Sequence, residues 1–203
     1  MEQVNCDVSP LKAEMKEQLT AISSAIEQSM LVLENQNGCL LGEFEKIRSR
    51  FSHLETIAAS FYLQCYLGPY TDKYADLSLA VQNLAARRQG ALIVVEREDA
   101  VSSLLQAGIP IRAWMTHSLL ESIFFPGSPL HDGAVVIRES QIISAANVLP
   151  LSHVSVGEQK LGTRHRAALG LSEQSDALVI VVSEETGKAS FALHGHLYPI
   201  ITH

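Results

Sequence analysis

The chain is poor in cysteine, in positive charge and in long apolar runs, and each shortage removes a class of protein. Its three cysteines, Cys6, Cys39 and Cys65, form no CxxC pair. That excludes a paired-CxxC zinc framework and a disulfide-dense scaffold, and an odd count fits free thiols in a reducing compartment. Cys39 and Cys65 fall within helical patterning and read as small buried apolar residues. The formal net charge of −7 argues against a general role in coating nucleic acid, where a basic balance is required. It leaves room for a nucleotide, whose phosphates need only local positive charge. No apolar stretch approaches the roughly 20 residues that span a bilayer, and Met1-Glu2-Gln3-Val4 lacks the basic start of a signal peptide. The expectation is a cytoplasmic protein with neither membrane nor nucleic-acid partner. There is no GxxxxGK[ST] loop and no strand–GxGxxG–helix element, so a nucleotide would be held outside those two modes.

What remains is a 203-residue chain that is 47% hydrophobic, enough for one α/β domain and an accessory element. Ser9-Pro10 resembles an N-cap with proline at the first helical position. Apolar residues then recur at Leu11, Met15, Leu19, Ile22, Ile26, Met30 and Leu33. After the turn chemistry of Asn35-Gln36-Asn37-Gly38, a second stripe runs through Leu40, Phe44, Ile47, Phe51, Leu54, Ala58, Phe61 and Cys65 at alternating spacings of four and three. These two helices form a hairpin over residues 1–66. Either the hairpin packs on its own core, or its stripes dock onto another domain or subunit.

Leu67-Gly68-Pro69-Tyr70-Thr71-Asp72 breaks the pattern, and residues 67–203 alternate helices and strands. Helices are expected over Leu77–Arg88, Asp99–Gln106, Ser118–Phe125 and Thr163–Leu171. Strands are expected over Ala91–Val95, Ala134–Ile137, Gln141–Leu149, Ala177–Val182 and Ser190–Leu193, with an edge strand at Tyr198-Pro199-Ile200. The fold class is α/β, a mixed sheet with helices on both faces, preceded by an α-helical hairpin.

Two segments carry chemistry. In Pro129-Leu130-His131-Asp132-Gly133-Ala134, a carboxylate beside a glycine at a strand entrance can approach a ligand or divalent cation closely, with His131 as a neighbour. Asp-Gly is also an ordinary turn dipeptide. Gly162-Thr163-Arg164-His165-Arg166 opens a helix, with Thr163 placed as N-cap. Outward amides, the positive end of the dipole and two guanidinium forks suit phosphate. Arginines there oppose the dipole, so a purely structural role must explain an unfavourable placement, though exposed salt bridges would do so. Ser183-Glu184-Glu185 follows a buried strand, where acids bind metal or ribose or simply face water. His194 and His196, two apart on a strand, would face one side and are read as structural.

The stretch from about Asp76 to Ile201 resembles the diadenylate cyclase domain, which condenses two ATP molecules into cyclic di-AMP. The resemblance rests on Leu130-His131-Asp132-Gly133-Ala134, Leu149-Pro150-Leu151-Ser152, Leu161 through Gly170, and Val182-Ser183-Glu184-Glu185-Thr186-Gly187, in the family's order and spacing. It implies a nucleotidyltransferase. Asp132 would be the key acid and metal ligand, His131 a second ligand, and manganese or magnesium the cation. It implies Gly133, Ala134 and Leu149 around the nucleoside, Gly162, Thr163, Arg164, His165 and Arg166 on phosphate, and Ser183, Glu184 and Glu185 lining the site. It further implies a homo-oligomer, with a face-to-face dimer as active unit and a hexamer as a larger form. The short helical pair resembles the sporulation-associated type, in which the helices drive oligomers and restrain activity. A competing reading keeps the motifs without catalysis, as a sensor of ATP or cyclic di-AMP signalling through the hairpin.

Overall fold

The uninterrupted apolar runs at 91–95 and 178–182 become neighbouring strands in the middle of a seven-stranded sheet, buried at every position. A strand reads as a continuous hydrophobic run when both of its faces are covered. The computed structural model describes residues 9–35, 40–106, 108–153 and 161–201. The turn expected at residues 35–38, the side chains of Ser9 and Pro10, and Cys6 and Cys39 lie outside the described residues. The chain divides into two compact units, Met1–Tyr62 and Leu63–His203.

In chain order the elements are α1 (Ser9–Asn35), α2 (Leu40–Leu67), α3 (Tyr74–Ala86), β1 (Ala91–Val95), a one-turn 3₁₀ helix (Val101–Ser103), β2 (Ile109–Trp114), α4 (His117–Ile123), β3 (Ala134–Arg138), β4 (Gln141–Asn147), α5 (Thr163–Ser172), β5 (Leu178–Val182), β6 (Ala189–Leu193) and β7 (His196–Ile200). The sheet order is β2-β4-β3-β1-β5-β6-β7, and only β1 and β3 run parallel. Leu92, Val94, Val179 and Val181 form one buried cluster with Ala167, Ala168 and Leu171 of α5. Side chains alternate along a strand, so Ile93, Val95 and Ile180 face the opposite side. There α3 packs on α4 and reaches β5. The mixed sheet with helices on both faces is thus the fold expected from the alternating pattern.

In the first unit, α1 and α2 form the hairpin: Arg50 Nη1 reaches the carbonyl of Ala21 at 3.4 Å, and the Lys12 ammonium lies 5.7 Å from the Phe61 ring centroid. The stripe on α2 is covered unevenly. Leu54 and Ile57 are buried, whereas Phe44 and Phe51 are half-exposed. Periodicity marks an apolar face, and it does not say how much of that face one chain covers. Cys65 is buried and disulfide-bonded. The expectation of free thiols therefore fails at that position; an odd count requires one unpaired cysteine, not three.

Three local expectations also give way. The helix expected over Asp99–Gln106 is a single 3₁₀ turn. The Asp176 carboxylate accepts from the Glu98 and Asp99 amides at 3.1 and 3.0 Å, and Glu96 Oε1 accepts from Val101 N at 3.0 Å. These are amides that a helix beginning at Asp99 would leave without an intrahelical partner, so the side chains anchor the segment rather than account for its shortness. No strand was expected around Pro110, yet it lies in edge strand β2, where a missing N–H costs no ladder bond. His194 and His196 do not share a strand. Leu193 pairs with His196, so His194-Gly195 is a two-residue hairpin loop, with positive φ at both positions (49° and 75°) as such loops require.

Gly170 shows how tightly α5 is seated. A Cβ there would lie 2.3 Å from the Pro150 carbonyl oxygen and 2.6 Å from Ser152 N. Alanine ordinarily stabilises a helix interior by up to about 1 kcal/mol over glycine; here the clash with fixed backbone outweighs that gain. Gly170→Ala is expected to cost about 1–3 kcal/mol, read as a lower Tm in thermal unfolding. An unchanged or higher Tm would contradict this packing.

Candidate active site

Strand directions decide where the chemistry collects. Ala91, the first residue of β1, pairs with Val182, the last of β5, and Ala134, the first of β3, pairs with Asn147, the last of β4. With β1 and β3 parallel, Gly90, Asp132-Gly133, Val148 onward and Ser183 onward all leave the sheet at one edge. The N-terminus of α5 meets them, and a cleft of about 900 Å³ opens between. Leu92, Val148, Leu149, Leu151, Leu161 and Val182 supply its apolar wall. Its polar side chains are Asp132, Asn147, Thr163, Arg164, His165, Ser183, Glu184, Glu185, Thr186 and Lys188.

Most of the residues singled out in the sequence meet here: Asp132, Gly133, Leu149, Gly162, Thr163, Arg164, His165, Ser183, Glu184 and Glu185 all line the cleft. Three of them do not. Ala134 is fully buried beneath Gly133 at the start of β3. His131 turns its Nδ1 onto the Ser128 carbonyl at 2.5 Å; a carbonyl only accepts, so that nitrogen is the donor. Arg166, expected on phosphate, instead donates from Nε and Nη2 to the Ser152 carbonyl at 3.4 and 3.3 Å, while Ser152 N donates to the Arg166 carbonyl at 2.9 Å. Its guanidinium holds the loop after β4 against α5.

The helix cap is also displaced by one residue. Gly162 has the extended backbone of an N-cap and accepts from Arg166 N at 3.1 Å, so Thr163 is the first helical residue. Gly162 has no side chain to cap this end, and among the described residues the first-turn amides are open toward the cleft for an anion. Arg164 Nη1 pairs with Glu184 Oε2 at 2.7 Å, in a cleft where Glu184 is 61% exposed. A pair this open to water is worth no more than about 1 kcal/mol, so a polyphosphate offering two oxygens to the guanidinium fork can displace Glu184. Burial lowers the pKa of His165, and the nearby Glu185 carboxylate raises it in part.

Sequence reasoning missed three residues here. Lys188 lines the cleft from the hairpin after β5; its only signal was a lone base following two acids. Asn147 gave none. Gly90, just before β1, leaves room for the ion pair, since a Cβ there would lie 2.6 Å from Arg164 Nη1 and 2.9 Å from Glu184 Oε2.

A family model described as DisA bacterial checkpoint controller nucleotide-binding matches residues 78–197, and one described as diadenylate cyclase CdaS, N-terminal, matches residues 2–70. The chain belongs to the diadenylate cyclase family. It is 47% identical to diadenylate cyclase CdaS of Bacillus thuringiensis over 94% of this chain and 96% of that one. It is 51% identical to cyclic di-AMP synthase CdaS of Bacillus subtilis over 84% of this chain and 82% of that one. Among solved structures, a Bacillus cereus protein described as a hypothetical membrane spanning protein superposes with a TM-score of 0.77 at 46% identity, covering 95% of each chain. A double cysteine mutant of DacA from Staphylococcus aureus gives 0.60 at 46% identity over 63% of this chain and 85% of that one. Among the described residues of this cyclase-family chain, no helix is long and apolar enough to cross a membrane.

Two predictions follow from the cleft. Gly90→Ala meets the far ends of flexible side chains, so Tm should barely move while Arg164 is pushed from its place. Affinity for a nucleoside triphosphate, measured by calorimetry, should fall about tenfold, the equivalent of one charge-assisted hydrogen bond; unchanged affinity would show that Arg164 does not hold phosphate. For His165 the lowered pKa fixes a sign. Below about pH 6.5 the unfolded chain takes a proton that folded His165 resists, so stability falls with pH there and is fully present above it. His165→Gln should remove that component in denaturant unfolding at pH 7.5 and 5.5. Equal pH dependence in the two proteins would contradict the burial argument.

Proposed function

We propose that this chain condenses two ATP molecules into one cyclic di-AMP with release of two pyrophosphates. The observation that carries the reading is one cleft holding both the Asp132 carboxylate and the open N-terminus of α5 with Arg164, in a chain of the diadenylate cyclase family. The apolar wall around Leu149 receives the nucleoside. The α5 amides, Thr163, Arg164 and Lys188 hold the phosphates, and His165, neutral at pH 7, donates a hydrogen bond to them. In each half-reaction a ribose 3′-oxygen forms a bond to the α-phosphorus of the other ATP, the bond to pyrophosphate breaks, and Asp132 faces the hydroxyl that loses its proton. Such transfer needs positioning and charge neutralisation rather than a covalent intermediate.

A divalent cation, manganese or magnesium, fits these residues. Asp132 is exposed at the cleft and no group of three or more His, Cys, Asp or Glu surrounds it among the described residues. That suits an ion which completes its shell with triphosphate oxygens and water. Asp132 would hold it, with the Nε2 of His131 as a second ligand, and it would neutralise charge developing on the phosphates.

Each cleft has one set of phosphate ligands, so the second ATP comes from a facing copy. The active unit is then an isologous dimer, and Val148 and Leu151, exposed hydrophobics beside the cleft, support a face that meets another surface. The hairpin of residues 1–66 acts as the regulatory and oligomerisation domain that joins such dimers into a hexamer and restrains residues 67–203. The match of residues 2–70 to the CdaS N-terminal model supports this reading, and with it a cytoplasmic, sporulation-associated source of second messenger.

Incubation with ATP and manganese, with products separated by chromatography, tests the activity. Cyclic di-AMP is expected from the native chain and none above background from Asp132→Asn; product from both would remove Asp132 from the chemistry. A truncation beginning near Leu67, shown to be folded by circular dichroism, is expected to have higher specific activity. Equal or lower activity would overturn the restraint.

A further inference from the structure

The side chain of Asn147 is 3% exposed and sits directly behind the Asp132-Gly133 turn. Its carboxamide is fully spent inside the protein. Nδ2 donates to the Ala134 carbonyl at 2.8 Å and to Ser144 Oγ at 2.9 Å, and Oδ1 accepts from Gly108 N and from Ser144 Oγ, both at 3.1 Å. A primary amide has two donors and two lone pairs, so none is left for a ligand, although Asn147 lines the cleft. It does not read a nucleobase.

What it holds is a strained bulge. Ala146, its neighbour, has φ of 56°, a left-handed conformation that costs a non-glycine residue about 1–3 kcal/mol and persists only where the surroundings over-determine it. The β3–β4 register shifts between Ala134 and Val136 at the same place. Gly133, at φ of 114°, lies flat on this bulge: a Cβ would be 2.8 Å from both Ala146 C and the Asn147 carbonyl oxygen. Bulges beside active sites re-aim side chains, and the side chain carried by this turn is Asp132.

We propose that Asn147 is the positioning residue for Asp132: by tying the ends of β3 and β4 to the segment before β2, it fixes the bulge on which Asp132 is aimed. The inference rests on the cyclase reading. The phosphate ligands come from α5 and the β5–β6 hairpin, which Asn147 does not touch in its hydrogen bonding, so its loss should show in the rate far more than in ATP binding.

Steady-state kinetics on the full chain with ATP and manganese test it. Asn147→Ala, still folded by circular dichroism, should lower kcat about 100-fold, the cost of a misplacement near 1 Å, with KM for ATP changed far less. A folded variant with native kcat overturns the proposal, as does one in which KM rises and kcat holds. Should Asn147→Ala not fold, Ser144→Ala decides. It removes one neutral hydrogen-bonding partner, worth about fivefold, and should lower kcat alone; native kcat again overturns the proposal. If the native chain forms no cyclic di-AMP, the cyclase reading falls and this inference with it. If it does and the variants match it, only the role of Asn147 falls.

Discussion

β1 pairs parallel with β3 on one side and antiparallel with β5 on the other, and the geometry of the site depends on that pairing. It brings the start of two strands and the end of two more to one edge, where four short segments from distant parts of the sequence meet. Two of these strands, β1 and β5, are buried at every position, so their hydrophobic interior fixes the segments that leave them. α5, seated on the same strands and pressed by Gly170 against the loop after β4, adds its open N-terminus to the same edge. The core therefore sets the distance between carboxylate and phosphate ligands.

The charged residues that line the cleft lean acidic. Asp132, Glu184 and Glu185 face Arg164 and Lys188 across it, and Arg164 is already engaged by Glu184. A triphosphate entering alone meets more carboxylate than cation. In the proposed mechanism a divalent ion on Asp132 and release of Arg164 from Glu184 would reverse that balance and make the cleft selective for a metal-bound nucleotide. Burial at His165 lowers its pKa and so disfavours a further fixed charge in the cleft.

Much of this was legible in the chain itself. The continuous runs at 91–95 and 178–182 declared doubly covered strands, and Asp132-Gly133 and Thr163-Arg164-His165 lie where a strand entrance and a helix start were expected. What could not be read was anything depending on contacts far apart in sequence. Asp176 anchors the segment expected as a helix after Asp99 by accepting the Asp99 amide from 77 residues away. Arg166 looks like its neighbour Arg164 in sequence, yet the helix turns it onto Ser152. Gly90 and Asn147 matter only because other elements approach them closely. The apolar stripe of α2 was visible; its half-exposed phenylalanines were not.

The central claim is that two nucleotides react with each other rather than with water. The most direct measurement is the ratio of pyrophosphate to cyclic di-AMP released by the native chain with ATP and manganese. The account predicts two pyrophosphates for each cyclic di-AMP and no AMP. Pyrophosphate accompanied by AMP, without the cyclic dinucleotide, would show a cleft that binds ATP and hydrolyses it, and would contradict the account.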